Sequence, residues 1–99
     1  MKERQSVIKH IVMWKFQPGT EEAMHEFLAG LRALKGKIPQ IREQEVGVSC
    51  VPGGYDAVLT SVFDSLEDLE LYKKDPRHVE VSEKCKAIRT SRAAVDYEV

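Results

Sequence analysis

The feature that most constrains the fold is the segment from Ile8 to Phe16, whose sequence is IKHIVMWKF. Its β-branched and aromatic residues favour a β-strand, in which successive side chains point to opposite faces. Ile11 and Met13 lie on one face of this strand. The other face carries Ile8, His10, Val12, Trp14 and Phe16. Both faces are largely apolar, so the segment predicts a strand that is covered on both sides.

The next segment has the period of an amphipathic helix. After the turn at Pro18 and Gly19, Thr20 is the predicted N-cap, and two acidic residues follow it where the helix dipole favours them. The apolar positions then recur at steps of three and four residues. They are Met24, Phe27, Leu28, Leu31 and Leu34. We therefore expect a helix that ends near Gly36.

Three further segments have strand patterns. Residues 41–50, IREQEVGVSC, predict a weaker and partly charged strand before the turn PGG at residues 52–54. Residues 56–63, DAVLTSVF, carry β-branched or apolar side chains on both faces and predict a third strand. Residues 93–99, AAVDYEV, predict a fourth strand that closes the chain.

The segment between the third and fourth strands is predicted to be helical and interrupted. Ser65 and Asp68 have the spacing of a capping box, which opens a short helix through Tyr72. Asp75 is the predicted cap of the next helix, and Pro76 suits its first position. The predicted inward side of this last helix consists of Val79, Ser82, Cys85 and Ile88.

These elements follow the order β-α-β-β-α-β in a single domain over residues 1–99, with the second helical region split in two. The compact arrangement is a ferredoxin-like α+β fold, in which helices cover one face of a four-stranded antiparallel sheet whose first and third strands are central. A second copy of the sheet is expected on the other face, which predicts a homodimer, a dimeric α+β barrel. The alternative is that small apolar residues such as Ala57 and Met13 tolerate water.

Composition narrows the range of partners. The formal net charge is -1, with 31% charged and 42% apolar residues, whereas proteins that bind nucleic acid or anionic membranes usually carry a basic excess. No apolar run near the N-terminus is long enough for a signal peptide or a membrane span, so we expect a cytoplasmic location. We expect neither nucleic acid nor membrane as a partner.

Metal and cofactor motifs are also missing from the sequence. Cys50 and Cys85 lack the C-x-x-C spacing, and both are expected to be reduced thiols. His10, His25 and His78 are too widely spaced to predict a metal site, and His25 falls on the polar side of the first helix. The sequence has no phosphate-binding glycine loop and no nucleophile elbow. We therefore expect no metal and no cofactor.

Five segments match one protein family in order and spacing over nearly the whole chain. They are KHIVMWKF at 9–16, LRALKGKIPQI at 31–41, EVGVS at 45–49, GYDAVLTSVFDSLEDLELYKKDPRHVEV at 54–81 and VDYE at 95–98. The strand histidine, the KGKIP turn, the GYD turn and the Y-x-x-x-P-x-H segment are specific in combination. In these features the chain resembles the stress-responsive α/β-barrel domain proteins, or dimeric α+β barrels. The resemblance implies the same ferredoxin-like dimeric fold.

The resemblance also implies a group of site residues. Many members have no assigned activity, but one is a plant polyketide cyclase that closes an aromatic ring by an intramolecular aldol step without metal or cofactor. Related barrels include cofactor-free monooxygenases. Tyr72 and His78 match the cyclase's tyrosine and histidine by motif position, and His10 matches its strand histidine. The resemblance therefore implies that Tyr72 and His78 act as a catalytic pair, with His10 orienting the base or the substrate.

The residues themselves give a physical reason for this grouping. The helix break at Asp75 and Pro76 is expected to turn Tyr72 and His78 towards one pocket, with His10 on its floor. A histidine in the first turn of a helix is expected to stay neutral near pH 7, because the positive end of the helix dipole disfavours the imidazolium. It can then take a proton α to a carbonyl, while the phenol binds the oxygen that becomes anionic. The predicted ligand-binding residues are Trp14, Phe27, Met24 and Leu31.

Two functional hypotheses remain open from the sequence. In the first, the pocket binds a small carbonyl-type molecule, with or without cofactor-free acid/base catalysis of the cyclase or isomerase kind. The charged and narrow-faced third helix favours a ligand smaller than a polyketide. In the second, the protein is a structural or stress-stabilising dimer without a specific ligand. Tyr72 and His10 then belong to the core, and His78 covers the start of its helix.

Overall fold

The computed structural model describes residues 6–99. The elements follow one another as β1 (Ile8–Phe16), α1 (Glu21–Leu34), β2 (Glu43–Val48), β3 (Ala57–Phe63), α2 (Leu66–Lys74), α3 (Pro76–Lys86) and β4 (Arg89–Glu98). This order confirms the predicted ferredoxin-like fold and the split of its second helical region. None of the helices in this range is long and apolar enough to cross a membrane.

The strands form one antiparallel sheet in the spatial order β2-β3-β1-β4. β1 and β3 therefore lie in the centre, as predicted from their apolar composition. The register places Val12 opposite Leu59 and Trp14 opposite Ala57 on one side of the sheet. On the other side, Met13 lies opposite Val58. Each central strand thus presents apolar side chains to both sides of the sheet.

The core lies between one side of this sheet and the helices. The even-numbered residues of β1 from Ile8 to Trp14 are buried there. The whole predicted apolar stripe of α1 is also buried, namely Met24, Phe27, Leu28, Leu31 and Leu34. Helix α1 approaches α3 closely at Gly30, where a Cβ would lie 3.4 Å from the methyl groups of Val81. The helices and the sheet therefore form two packed layers.

The opposite side of the sheet is apolar at its centre, and within residues 6–99 no helix lies over it. Ile11, Met13 and Val58 are half-buried there. On β4, Val95 and Tyr97 belong to the same side and are 54% and 43% exposed. We call this surface, made of these five residues, the open face. Charged residues flank it at Lys9, Lys15, Glu43 and Glu45.

One prediction about α3 is wrong. The sequence pattern places Val79 on the inward side, but this residue is 44% exposed, and the helix instead buries Val81 and Cys85. The predicted residues are spaced by three, whereas the helix repeats every 3.6 residues. A row of residues with this spacing rotates around the helix, so its first residue, Val79, lies outside the buried face. The pair that meets the core is spaced by four residues, and Val81 contacts α1 at Gly30.

Thr20 is the N-cap of α1, as predicted, but its hydroxyl does not cap the helix. Its hydroxyl instead donates to the backbone oxygen of Gln17 at 2.6 Å. The hydroxyl therefore closes the turn that precedes the helix, and the backbone N–H groups of the first helical turn gain nothing from it.

Two strands differ from their predicted lengths. β2 covers Glu43–Val48, which is shorter than the predicted segment 41–50. β4 begins at Arg89, whereas the sequence pattern predicts a start at residue 93. The segment RTSR at residues 89–92 has no apolar alternation, and it becomes a strand because its backbone pairs with the end of β1.

Both caps predicted for the split helical region are present. Ser65 Oγ accepts a hydrogen bond from the backbone N–H of Asp68 at 3.1 Å, at the start of α2. Asp75 Oδ1 accepts one from the backbone N–H of Arg77 at 2.8 Å, at the start of α3. The Arg77 guanidinium binds the same carboxylate and donates to the backbone oxygen of Lys37 at 2.6 Å. The helix break is thus fixed to the loop that follows α1.

The two N-cap positions provide a matched test. We expect Ser65→Ala to lower the free energy of unfolding by about 1 kcal/mol, because it removes a side-chain cap. Thr20→Ala should cost less than half as much, since the Thr20 hydroxyl makes no capping bond. Urea denaturation of both variants at one fixed protein concentration measures the difference. Equal losses would contradict the assignment of the Thr20 hydroxyl to the preceding turn.

Candidate functional site

A cavity of about 60 Å³ lies between the sheet and the helices. Its apolar lining consists of Val12, Trp14, Phe27, Leu31 and Leu59. Its polar lining includes His10, Tyr72, His78, Arg89 and Arg92. Arg92 is exposed, whereas Tyr72 and the apolar lining residues are buried, so the cavity opens to solvent on the side of Arg92. We call this space the site cavity.

Tyr72 stands at the inner end of the site cavity, in the last turns of α2. The residue is 1% exposed, and its ring packs against Phe63 and His78 with centroid distances of 5.0 and 4.3 Å. Its hydroxyl is buried and has no hydrogen-bond partner among residues 6–99. Burial raises the pKa of Tyr72 above its ordinary value. The hydroxyl therefore stays protonated at neutral pH and can donate a hydrogen bond.

His78 occupies the third position of α3, directly after the helix break. Its Nδ1 lies 3.2 Å from the backbone oxygen of Lys73. A carbonyl oxygen only accepts hydrogen bonds, so Nδ1 carries the proton and Nε2 keeps its lone pair in the neutral ring. Burial lowers the pKa of His78, and the bond to Lys73 opposes this only in part. The ring is therefore neutral near pH 7, as predicted from its position.

His10 is held by a carboxylate that the sequence analysis does not identify. Its Nδ1 lies 2.5 Å from Oδ1 of Asp96, the residue directly opposite it on β4. Burial lowers the pKa of His10, and Asp96 opposes this in part. Burial has the larger effect on the His10 pKa because the His10 side chain is only 5% exposed. The Asp96 side chain is 30% exposed, and its carboxylate also lies 3.7 Å from Nζ of Lys73, so it stabilises the imidazolium less. Neutral His10 donates from Nδ1 and keeps a lone pair on Nε2.

The structure brings the three proposed catalytic side chains together around the site cavity. The ring centroid of Tyr72 lies 6.2 Å from that of His10 and 4.3 Å from that of His78. The helix break places His78 beside the end of α2, while β1 supplies His10 from the sheet. A phenol that can donate thus lies between two imidazoles that can each accept.

Three of the four predicted ligand-binding residues line the site cavity, and one does not. Trp14, Phe27 and Leu31 belong to its lining, and the Trp14 and Phe27 rings meet edge to face at 5.1 Å. Met24 lines a separate surface cavity together with Phe16. It lies in the first turns of α1, towards the end of β1, whereas Phe27 and Leu31 lie further along the helix and reach the site cavity.

Arg89 and Arg92 also line the site cavity, although no sequence pattern predicted them there. Residues three apart on a regular strand face opposite sides of the sheet. The pairing of β1 with β4 shifts between Lys15 and Phe16, so that Ser91 lies opposite Lys15 and Arg89 lies opposite Phe16. This β-bulge adds one residue to β4 and returns Arg89 to the same face as Arg92. The segment RTSR contains no pattern that would predict the bulge.

The lining of the site cavity is cationic at its open end and neutral inside. No aspartate or glutamate is among the lining residues, and within residues 6–99 neither Arg89 nor Arg92 forms an ion pair with a carboxylate. Burial is the largest cause that lowers the pKa of both His10 and His78, and the positive charge of Arg92 is the smallest. In the same range, no group of three or more His, Cys, Asp or Glu side chains is placed to hold a metal ion.

The fold and the site cavity define an α+β domain of the ferredoxin-like class, with a small polar pocket between its sheet and its helices. Within this class, the chain belongs to the stress responsive A/B barrel domain (Dabb) family, whose sequence profile matches residues 8–99. This match confirms the resemblance described above.

Known relatives agree with this assignment. A protein of unknown function from Bacteroides fragilis, described as dimeric and ferredoxin-like, is 35% identical, with a TM-score of 0.87 over 94% of this chain and 96% of that chain. An uncharacterised protein of Streptomyces coelicolor is 32% identical over 73% of this chain and 79% of its own length. The hydroxynitrile lyase of Passiflora edulis has a TM-score of 0.86 over 97% of this chain and 95% of that chain, but at 16% identity it shows a shared fold alone.

Two histidines with lowered pKa values, the buried His10 and the half-buried His78, predict how stability depends on pH. Their pKa values are lowered from the ordinary 6.5, so below about pH 6.5 the unfolded chain binds more protons than the folded protein. The free energy of unfolding should therefore fall as the pH decreases from about 7.5 to about 5.5. His78→Asn should make this decline shallower. His25→Asn, the same substitution at an exposed position, is the control for the exchange of histidine by asparagine. A wild-type free energy of unfolding that does not change over this pH range would contradict the lowered pKa values of His10 and His78.

Proposed function

We propose that this protein binds a small carbonyl compound in the site cavity, with the Tyr72 hydroxyl donating a hydrogen bond to the carbonyl oxygen. The observation that carries the proposal is the buried Tyr72 hydroxyl without a partner. Leaving such a group unsatisfied costs about 1–3 kcal/mol, so native proteins contain few of them. An acceptor atom of a ligand would remove this cost.

The volume of the site cavity limits the size of the proposed ligand. Trp14, Phe27 and Leu31 surround the space in front of Tyr72. A dry cavity of about 150 Å³ binds a benzene ring, whereas the site cavity has about 60 Å³. The enclosed part of the ligand is therefore smaller than a benzene ring, and any remainder would lie at the open end.

A second candidate function, acid/base catalysis without a cofactor, is favoured by the position of neutral His78 beside Tyr72. The Nε2 lone pair of His78 would take a proton from the carbon next to the carbonyl. The Tyr72 hydroxyl would then stabilise the enolate oxygen, which binds a proton donor more strongly than the ground-state carbonyl does. His10 would orient the substrate or the base, held in one tautomer by Asp96.

The proposal includes a homodimer formed through the open face. Ile11, Met13 and Val58 at the centre of this face are apolar, and Val95 and Tyr97 extend the patch along β4. A contiguous exposed apolar patch of this kind is characteristic of an interaction surface. A two-fold axis pairs such a surface with itself. The Bacteroides fragilis relative, which is 35% identical, is described as dimeric.

The carbonyl-binding proposal is tested with pyruvamide, a small neutral carbonyl compound. We expect a ¹³C- and ¹⁵N-edited NMR titration to shift the side-chain signals of Tyr72 and His78. Tyr72→Phe should weaken binding about tenfold, because one hydrogen bond to the ligand is lost. It should leave the free energy of unfolding unchanged or slightly raised, since the hydroxyl has no protein partner. Tyr55→Phe, in an exposed loop, is the matched control and should change neither quantity.

The structural alternative gives the opposite result in the same experiment. A dimer without a ligand should show no specific shifts with pyruvamide. If Tyr72→Phe also lowered the free energy of unfolding by about 1 kcal/mol, the hydroxyl would have a structural partner. That pair of results would favour the stress-stabilising dimer.

The homodimer is tested with one charge placed on the open face. Val95→Asp should convert the dimer to a folded monomer, because it buries an unpaired carboxylate in the interface. Leu71→Asp is the matched control, since Leu71 on α2 is 50% exposed and Val95 is 54% exposed. Sedimentation equilibrium gives the molar mass, and circular dichroism checks that both variants are folded. A wild-type monomer at micromolar concentration would refute the dimer.

A further inference from the structure

Because of the bulge in β4, two arginines line the site cavity at its open end. Arg92 lies opposite Trp14 in the sheet, and Arg89 lies opposite Phe16 on the same face. Without the extra residue at the bulge, one of the two side chains would face the other side of the sheet. Both guanidinium groups remain charged under all ordinary conditions.

No carboxylate of the described chain neutralises this pair. Asp96 and Glu98 are the acidic residues on the same face of β4. The nearer one, Asp96, has its Cα about 13 Å from that of Arg92 along an extended strand. Its carboxylate is bound to His10 at 2.5 Å and lies 3.7 Å from Nζ of Lys73. The two histidines of the site cavity are neutral and supply no compensating charge. The open end of the cavity therefore carries positive charge that no carboxylate of residues 6–99 neutralises.

The chemistry of the arginines selects the kind of anion. A guanidinium presents parallel N–H groups that match the two oxygens of a carboxylate, and such charge-assisted bonds are stronger than neutral ones. The small volume of the site cavity disfavours a bulky group such as a nucleotide. A carboxylate on a short carbon chain fits the open end and leaves the rest of the ligand to extend inwards.

We propose that the ligand of the site cavity is a short oxo acid, whose carboxylate binds Arg89 and Arg92 while its carbonyl oxygen accepts the hydrogen bond of Tyr72. This inference rests on the proposed carbonyl-binding function and names the ligand class of the same site. The apolar walls formed by Trp14 and Phe27 then contact the carbon atoms between the two polar groups. The buried Tyr72 hydroxyl has no hydrogen-bond partner, and neither arginine pairs with a carboxylate of residues 6–99. One ligand would satisfy both independent observations.

The test compares pyruvate with pyruvamide, which has the same carbon skeleton and carbonyl but no negative charge. Isothermal titration and NMR shifts measure binding to the wild-type protein and to Arg89→Gln and Arg92→Gln. We expect pyruvate to bind at least about tenfold more tightly than pyruvamide. Each arginine variant should weaken pyruvate binding about tenfold and leave pyruvamide binding unchanged. Arg32→Gln, which changes an exposed arginine of α1, is the control and should affect neither compound.

The outcomes separate this inference from the function on which it rests. Equal binding of the two compounds would overturn the oxo acid and leave the carbonyl-binding proposal in place. Tight pyruvate binding that both arginine variants retain would also overturn the inference, because the carboxylate would then lie elsewhere. Failure of both compounds to shift the signals of Tyr72 and His78 would overturn both proposals. The oxo acid is supported only if the wild-type protein shows the tenfold preference for pyruvate and the arginine variants lose it.

Discussion

The rest of this structure depends on one constraint, which is that a single sheet has two faces and its helices cover only one of them. β1 satisfies the constraint by carrying apolar residues on both sides. Its helix-facing row supplies His10 and Trp14 to the site cavity, while Ile11 and Met13 form the centre of the open face. In the proposed dimer, the same strand would therefore support the ligand pocket and the subunit contact from opposite sides. A change in its register by one residue would exchange the two surfaces.

The chemistry of the site follows from where the helical layer is interrupted. A continuous helix in place of α2 and α3 would separate Tyr72 and His78 along one axis. The break instead returns the chain so that the two rings contact each other in a tilted arrangement, with centroids 4.3 Å apart. Asp75 and Arg77 hold this break at the surface, and the burial of the rings holds their protonation states. Within residues 6–99 two buried hydroxyls lack a hydrogen-bond partner, those of Ser61 and Tyr72, and only Tyr72 lines the cavity. The same helix break thus has two effects. It is held at the surface by Asp75 and Arg77, and it places the unpartnered Tyr72 hydroxyl inside the cavity.

The sequence allowed the fold, the central strands, the caps of α2 and α3 and the grouping of His10, Tyr72 and His78 to be predicted. These features depend on local signals, namely alternation in strands, apolar stripes in helices and cap residues at fixed offsets. The errors have a different origin. The side of α3 that holds Val81 is set by the approach of α1 at Gly30, and the partner of His10 is set by the register with Asp96. Both are contacts between segments far apart in the chain, which no local pattern encodes.

The bulge in β4 has a consequence for how relatives of this protein are compared. The charge at the open end of the site cavity depends on the number of residues between two arginines as well as on their identity. A relative with the same four letters, RTSR, but a regular strand would present one arginine on each side of its sheet. Two such proteins would have the same residues at these positions, and yet only one of them would place both guanidinium groups at its cavity. An insertion or deletion in the last strand can therefore change which charges face the cavity while both arginines are kept.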